Sequence, residues 1–208
     1  MSLPSYPLSI PTSPSNFVTS EWRIKRTVAV SQSQFSYESV AYDFGGSVWS
    51  TNVTLPPMKR EQADEWQVFF MQLHGRYGTF KLGDPDSKTI QGGLDSVINV
   101  NGAHSVGAYD ISIENATAST LIFKKGDYIQ FGSGATQKLH MIVGDVTSAG
   151  NGTATVPIEP PLKSALVDDS SIAYTNTTCI MRMDSNELYW TADQLSLYGI
   201  TFSCTEVV

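Results

Sequence analysis

The stretch TLPPMKREQADEWQVFFMQLHGRYGTFKLGDP, Thr54 to Pro85, restricts the possible folds more than any other part of the chain. Pro56 and Pro57 have no N–H to donate to a sheet ladder, so the strand arriving from Trp49 must stop there. Proline is tolerated at a helix start, where the missing N–H would have had no partner anyway. From Lys59 to His74 the spacing predicts a helix, with Ala63, Trp66, Phe70 and Leu73 on one face. Val68, Phe69 and Met71 add a second apolar side, which asks for cover beyond a single sheet. Gly75 stands where a left-handed C-cap belongs. RYGTFKLG, with Phe80, then resumes as a strand and ends in the turn cluster GDPDS.

On either side the texture is β. EWRIKRTVAVS alternates Trp22, Ile24, Val28 and Val30, interrupted at Arg26, and QFSYESVAYDF is a second strand. Gly45-Gly46 predicts a turn, after which Trp49, Thr51, Val53 and Leu55 fall in register. From Lys88 to Leu162, short strands and frequent glycines predict a small β-barrel or sandwich. The strands after EPPLKSALVDDSS are too few to stand alone and are expected to return to the first sheet.

The fold expected is therefore mainly β. A discontinuous β-sandwich of residues 21–87 and 163–208 carries one helix (about 59–74). Residues 88–162 form an inserted small β lobe, and the Pro-, Ser- and Thr-rich residues 1–20 form an extended arm. The turn-rich ends of the insert predict few contacts between the lobes.

Chemistry is sparse. Lysine and arginine total 13 against 20 acidic residues, a net charge of −7. A sequence-independent nucleic-acid binder needs a concentrated basic face to release counterions, and this balance argues against one. It suits a surface past which a polyanion moves without sticking. Cys179 and Cys204 read as buried thiols rather than a redox pair. His74 at the helix end, His104 in a turn and His140 in a strand have no metal-ligand spacing.

No nucleophile elbow, P-loop or dinucleotide fingerprint occurs. Asp84 and Asp86 suit turn chemistry better than a calcium loop, which needs further oxygen ligands. At least three of Trp22, Trp49, Trp66 and Trp190 are expected in cores. The reading is a non-enzyme with no catalytic residue, no cofactor and no metal. The N-terminus lacks a basic start followed by an apolar run, and no segment has bilayer length, so synthesis and folding in a cytoplasm are expected.

SVWSTNVTLPPMKREQADEWQVFFMQLHGRYGTFKLGDP resembles the N-terminal half of minor tail proteins of tailed bacteriophages, of the distal tail (tail-tip or baseplate ring) family. The resemblance is carried by Trp49; Leu55, Pro56 and Pro57; Ala63, Trp66 and Phe69; Gly75, Gly78 and Phe80; and Gly83, Asp84 and Pro85. LIFKKGDYIQFG and VPIEPPL look like later parts of such proteins, so most of residues 20–185 is covered.

The resemblance implies a structural virion protein at the tail tip: a sandwich with one helix that closes on itself as a homohexameric ring. Its partners would be the tail tube protein, the baseplate hub and other tail-tip proteins, with DNA passing through the lumen without specific binding. The extended arm would lie across an adjacent subunit. Two other readings stand beside it. One is a carbohydrate- or receptor-binding module, in which residues 88–162 meet host surface glycan through Tyr109, Phe123, Tyr128 or Phe131. The other is a tail-tip cell-wall hydrolase, which should show a paired-carboxylate or Cys/His site and does not.

Overall fold

The computed structural model describes residues 4–14 and 16–208; residues 1–3 and Ser15 of the expected arm lie outside them. Among the described residues the chain is mainly β with a single α-helix. The first part gives β1 (Leu8–Ser9), β2 (Thr19–Gln32), β3 (Ser39–Thr54), α1 (Arg60–Leu73) and β4 (Phe80–Leu82). A second group follows: β5 (Asn99–Val100), β6 (Asp110–Glu114), β7 (Leu121–Phe123), β8 (Tyr128–Phe131), β9 (Lys138–Ile142), β10 (Val146–Thr147), β11 (Ala154–Glu159) and β12 (Ile172–Ala173). The chain ends with β13 (Cys179–Met183), β14 (Trp190–Ala192) and β15 (Tyr198–Glu206).

The first sheet runs β1-β4-β13-β15-β3-β2, with β14 added on β15. It is discontinuous, because β13 and β15 insert between β4 and β3. Its core face takes Trp49 and Val53 from β3, Phe80 from β4, and Phe202 and Cys204 from β15. Helix α1 covers that face with Ala63, Trp66, Phe69, Phe70 and Leu73, all buried. The rings of Trp66, Phe69, Phe70, Phe80 and Phe202 stack edge-on or tilted, with centroids such as Phe70–Phe202 at 5.1 Å. Val68 and Met71 stay exposed, whereas Phe69, the third residue of that second apolar side, is buried. At its end the left-handed C-cap is His74 (φ 51), with Gly75 (φ 66) repeating that conformation one residue later.

Residues of the arm lie on this same core rather than reaching away from it. Leu8 and Ser9 pair in parallel with Phe80 and Lys81. The Tyr6 hydroxyl donates to the Gln72 carbonyl at 2.6 Å, and the Trp66 indole donates to the Ser13 carbonyl at 3.1 Å. Apolar Leu8, Ile10 and Phe17 supply part of the cover that α1 leaves open. The described arm is thus spent within its own subunit, contrary to the expectation that it lies across a neighbour.

The second sheet runs β12-β8-β9-β11-β6-β5. An Asn99↔Ser171 bridge and the bond from Ile172 N–H to the Ile98 carbonyl join its two ends, leaving a nearly closed barrel around Ile111, Ile129, Ile142 and Val156. Its boundary differs from the expected residue 162: Leu166 and Ile172 are buried in this core, and Ile172 pairs with Phe131. The polar run VDDSS hid the apolar positions on either side of it, so the return to the first sheet starts only at Cys179.

The lobes also share more than expected. The Trp49 indole donates to the Leu139 carbonyl at 2.9 Å, and its ring meets Tyr128 edge-on at 5.9 Å. Leu139 and Tyr128 belong to the barrel yet are buried in the first core.

Candidate interaction surface

Strands β2 and β3 form one long hairpin, and this corrects a sequence expectation. Gly45-Gly46 does not turn the chain; β3 runs through it, and the reversal lies at Ser33–Glu38, where the Ser33 N–H bonds the Glu38 carbonyl at 2.9 Å. The glycines form a bulge instead. Arg26 pairs with Ser47 and Val28 with Asp43, so Thr27 alone opposes Phe44, Gly45 and Gly46. Gly45 has φ 73, and a Cβ on Gly46 would sit 2.7 Å from Thr27 Oγ1.

Proximal to the bulge the hairpin belongs to the sheet. Distal to it, every residue from Thr27 to Gly46 is exposed. Cross-strand partners share a face. Val28, Val30 and Ala41 therefore lie on one face with Asp43, and Val40 and Tyr42 on the other with Ala29 and Ser31. Phe35, at the tip, is 99% exposed. A two-stranded ribbon apolar on both faces buries nothing by itself and is marginal in water. Contiguous apolar exposure of this kind marks a contact surface. β2 is also the outer strand of its sheet, and from Thr27 to Gln32 it carries none of the charges or prolines that normally blunt an edge.

The base of the hairpin is fixed. Arg26 pairs with Glu159 of the barrel at 2.8 Å. Deeper in the same seam Lys163 pairs with Glu206, their side chains 5% and 0% exposed. The same Glu206 oxygen accepts from the Trp49 backbone N–H at 3.0 Å, while Lys138 Nζ donates to the Val207 carbonyl at 2.6 Å. Burial lowers the Lys163 pKa, and the adjacent Glu206 carboxylate opposes that shift.

His140, fully buried in β9, bonds the Pro160 carbonyl through Nδ1 at 2.7 Å, so Nδ1 carries the proton and Nε2 has no partner. Burial lowers its pKa to about 4; the Pro160 bond opposes the shift, and Lys163 and Lys138 add to it. The unfolded chain takes up this proton near 6.5, before the folded one. Stability from the neutral ring is therefore complete above about pH 6.5 and is lost as pH falls toward 4, by on the order of 3 kcal/mol. Denaturant midpoints are expected to fall across that window and to fall less in His140→Gln. A midpoint in the unsubstituted protein that ignores pH there refutes this account.

The residues singled out in the sequence occupy core, turn and connecting positions. Trp49, Trp66, Phe70, Leu73 and Phe80 are buried. Pro56 and Pro57 follow the end of β3 and precede α1. Asp84 makes an ordinary turn, accepting from the Asp86 N–H at 3.1 Å and from the Ser87 hydroxyl. Trp22 is half-buried against Trp49, whereas Trp190 is 38% exposed. Cys179 and Cys204 are free and buried, and Cys204 faces Met183 across the ladder, not its fellow cysteine.

Of the insert's aromatics, Phe123, Tyr128 and Phe131 are buried, so a sugar platform among them would rest on Tyr109. Among the described residues no group of three or more His, Cys, Asp or Glu could hold a metal ion. What sequence reasoning missed is a second arm, the distal β2–β3 hairpin with Val28, Val30, Phe35, Tyr37, Val40, Tyr42 and Phe44. The available signal was apolar residues at both odd and even strand positions, with only Glu38 and Asp43 charged between Thr27 and Gly46. No protein-family model matches the chain, and no curated protein matches it.

Proposed function

We propose that this chain is a structural virion protein of a phage tail tip, closing into a homohexameric ring that joins the tail tube to the baseplate hub and lines the DNA channel. The observation that carries the reading is the β2–β3 hairpin, anchored at its base and uncovered on both faces beyond Thr27. Such an arm needs a neighbour. A closed ring of head-to-tail contacts gives every copy one and leaves no free end.

The arm's only charges are acidic, Glu38 and Asp43, so a wall built from it repels phosphates and does not hold them. The residues that carry the likeness to distal tail proteins are core and turn positions, which suits a building block.

A cryo-EM map of the intact particle tests the reading. Six copies around the tail axis are expected, with acidic residues prevailing on the inner wall. A single copy, a threefold arrangement, or a position far from the axis overturns it.

A further inference from the structure

From the hairpin geometry we infer that its tip is a plug: Phe35 of one copy seats in a groove at the hairpin base of the next. This rests on the ring reading above and names the contact that would close it.

The groove is a cavity of about 400 Å³ between the base of the hairpin and the barrel, lined among others by Lys25, Arg26, Gly46, Val48, Val106 and Leu162. Its volume lies within the range of roughly 300–1000 Å³ typical of sites that take a small group. The bulge creates it, because Gly45 and Gly46 place no side chains where a regular strand would. Apolar Val48, Val106 and Leu162 supply the walls and Lys25 the rim.

The plug is preformed. Ser33 Oγ accepts from the N–H groups of Phe35 and Ser36, both at 3.3 Å, and the Tyr37 N–H bonds the Ser33 carbonyl at 3.0 Å. A tip held this way presents an aromatic ring at little ordering cost. Glu38 lies beside it. Among the described residues Lys25 has no carboxylate within ion-pair distance, whereas Arg26 is taken by Glu159. An acidic, aromatic tip therefore fits an apolar groove whose edge carries Lys25, held by the Thr205 hydroxyl at 3.4 Å and, among the described residues, by no carboxylate.

The occupant must be a second copy. Eight residues separate Arg26 from Phe35, six of them in β2 (Thr27–Gln32), about 20 Å of paired strand, so a tip cannot fold back into the groove at its own base. Plug and groove sit at opposite ends of one element, and the contact they make is head-to-tail.

The test uses the full chain carrying Gln34→Cys, beside an intact Phe35, and Val106→Cys, oxidised in solution and in assembled particles, with each single variant as control. Disulfides between position 34 of one copy and 106 of the next, giving a covalent ladder beyond dimers only in the double variant, are expected. Phe35→Ala is expected to weaken self-association about thirtyfold or more, as loss of a central aromatic anchor does. Its melting temperature should not change, since Phe35 is 99% exposed.

Absence of 34–106 links, or links only between tips, overturns the plug. If particles then still hold six copies around the axis, the ring reading survives it. If the links form in a protein that sits away from the axis, the plug stands and the tail reading falls.

Discussion

Trp66→Ala is expected to leave the protein insoluble or melting about 6–20 °C lower. Trp66 is fully buried, and its ring lies 5.9 Å from both Phe69 and Phe70, 6.1 Å from Phe202 and 6.4 Å from Phe17. Removing it strips the contact layer between helix, sheet and arm in one step. Truncating a buried aromatic costs about 3–5 kcal/mol, and each kcal/mol moves the melting temperature of a chain this size by about 2–4 °C.

The indole N–H also holds the Ser13 carbonyl, so the arm should loosen too. Trp66→Phe separates the effects: it keeps a ring in the layer and loses the bond to the arm, and a smaller loss is expected. Thermal melts of both variants decide the matter. A Trp66→Ala protein that melts like its parent would mean that α1 does not hold this core.

Lys163→Met is expected to cost nearly as much by a different route. Glu206 would remain fully buried with its ammonium partner gone, and breaking a buried pair from one side costs about 3–5 kcal/mol. The remaining bond from the Trp49 N–H cannot replace a full charge. Adding Glu206→Gln removes the uncompensated charge and keeps an acceptor for that N–H, so the double variant should recover much of the loss. Equilibrium denaturation of the parent, the single and the double variant measures it. A single variant with an unchanged midpoint, or a double variant worse than the single, contradicts the account.

Strongly periodic elements could be read from the sequence, and elements defined by distant partners could not. The helix was expected over 59–74 and spans Arg60–Leu73, because its apolar stripe, proline start and glycine stop are all local signals. The discontinuous, mainly β architecture was also legible, since the C-terminal strands are too few to stand alone.

Gly45-Gly46 failed because the same dipeptide serves a turn and a bulge, and only the partner strand chooses between them. The insert's end failed because short β12 is recognised by its register with Phe131, which no local pattern encodes. The hairpin's exposure was hidden for a related reason. Alternating apolar residues predict a buried face, and the sequence does not say whether anything in the chain is left to bury it. Nor could spacing reveal that Lys163 and Glu206, widely separated in sequence, meet in one seam.

The strand order of the first sheet bears on how the protein is made. β15 leaves the ribosome after the other strands of this sheet, yet it lies between β13 and β3 in the middle of it. At about 5–20 residues per second, roughly 5–20 s pass between synthesis of β4 and of β13. Through that interval β3 and the aromatic layer on α1 have no sheet to complete. The barrel, apart from Tyr128 and Leu139, closes on its own contiguous segment and can fold first. The nascent chain is thus most prone to aggregate just before β15 inserts. Insertion of β15 also brings Glu206 to Lys163 and sets the base of the hairpin, so an unfinished chain lacks a fixed arm to offer a neighbour.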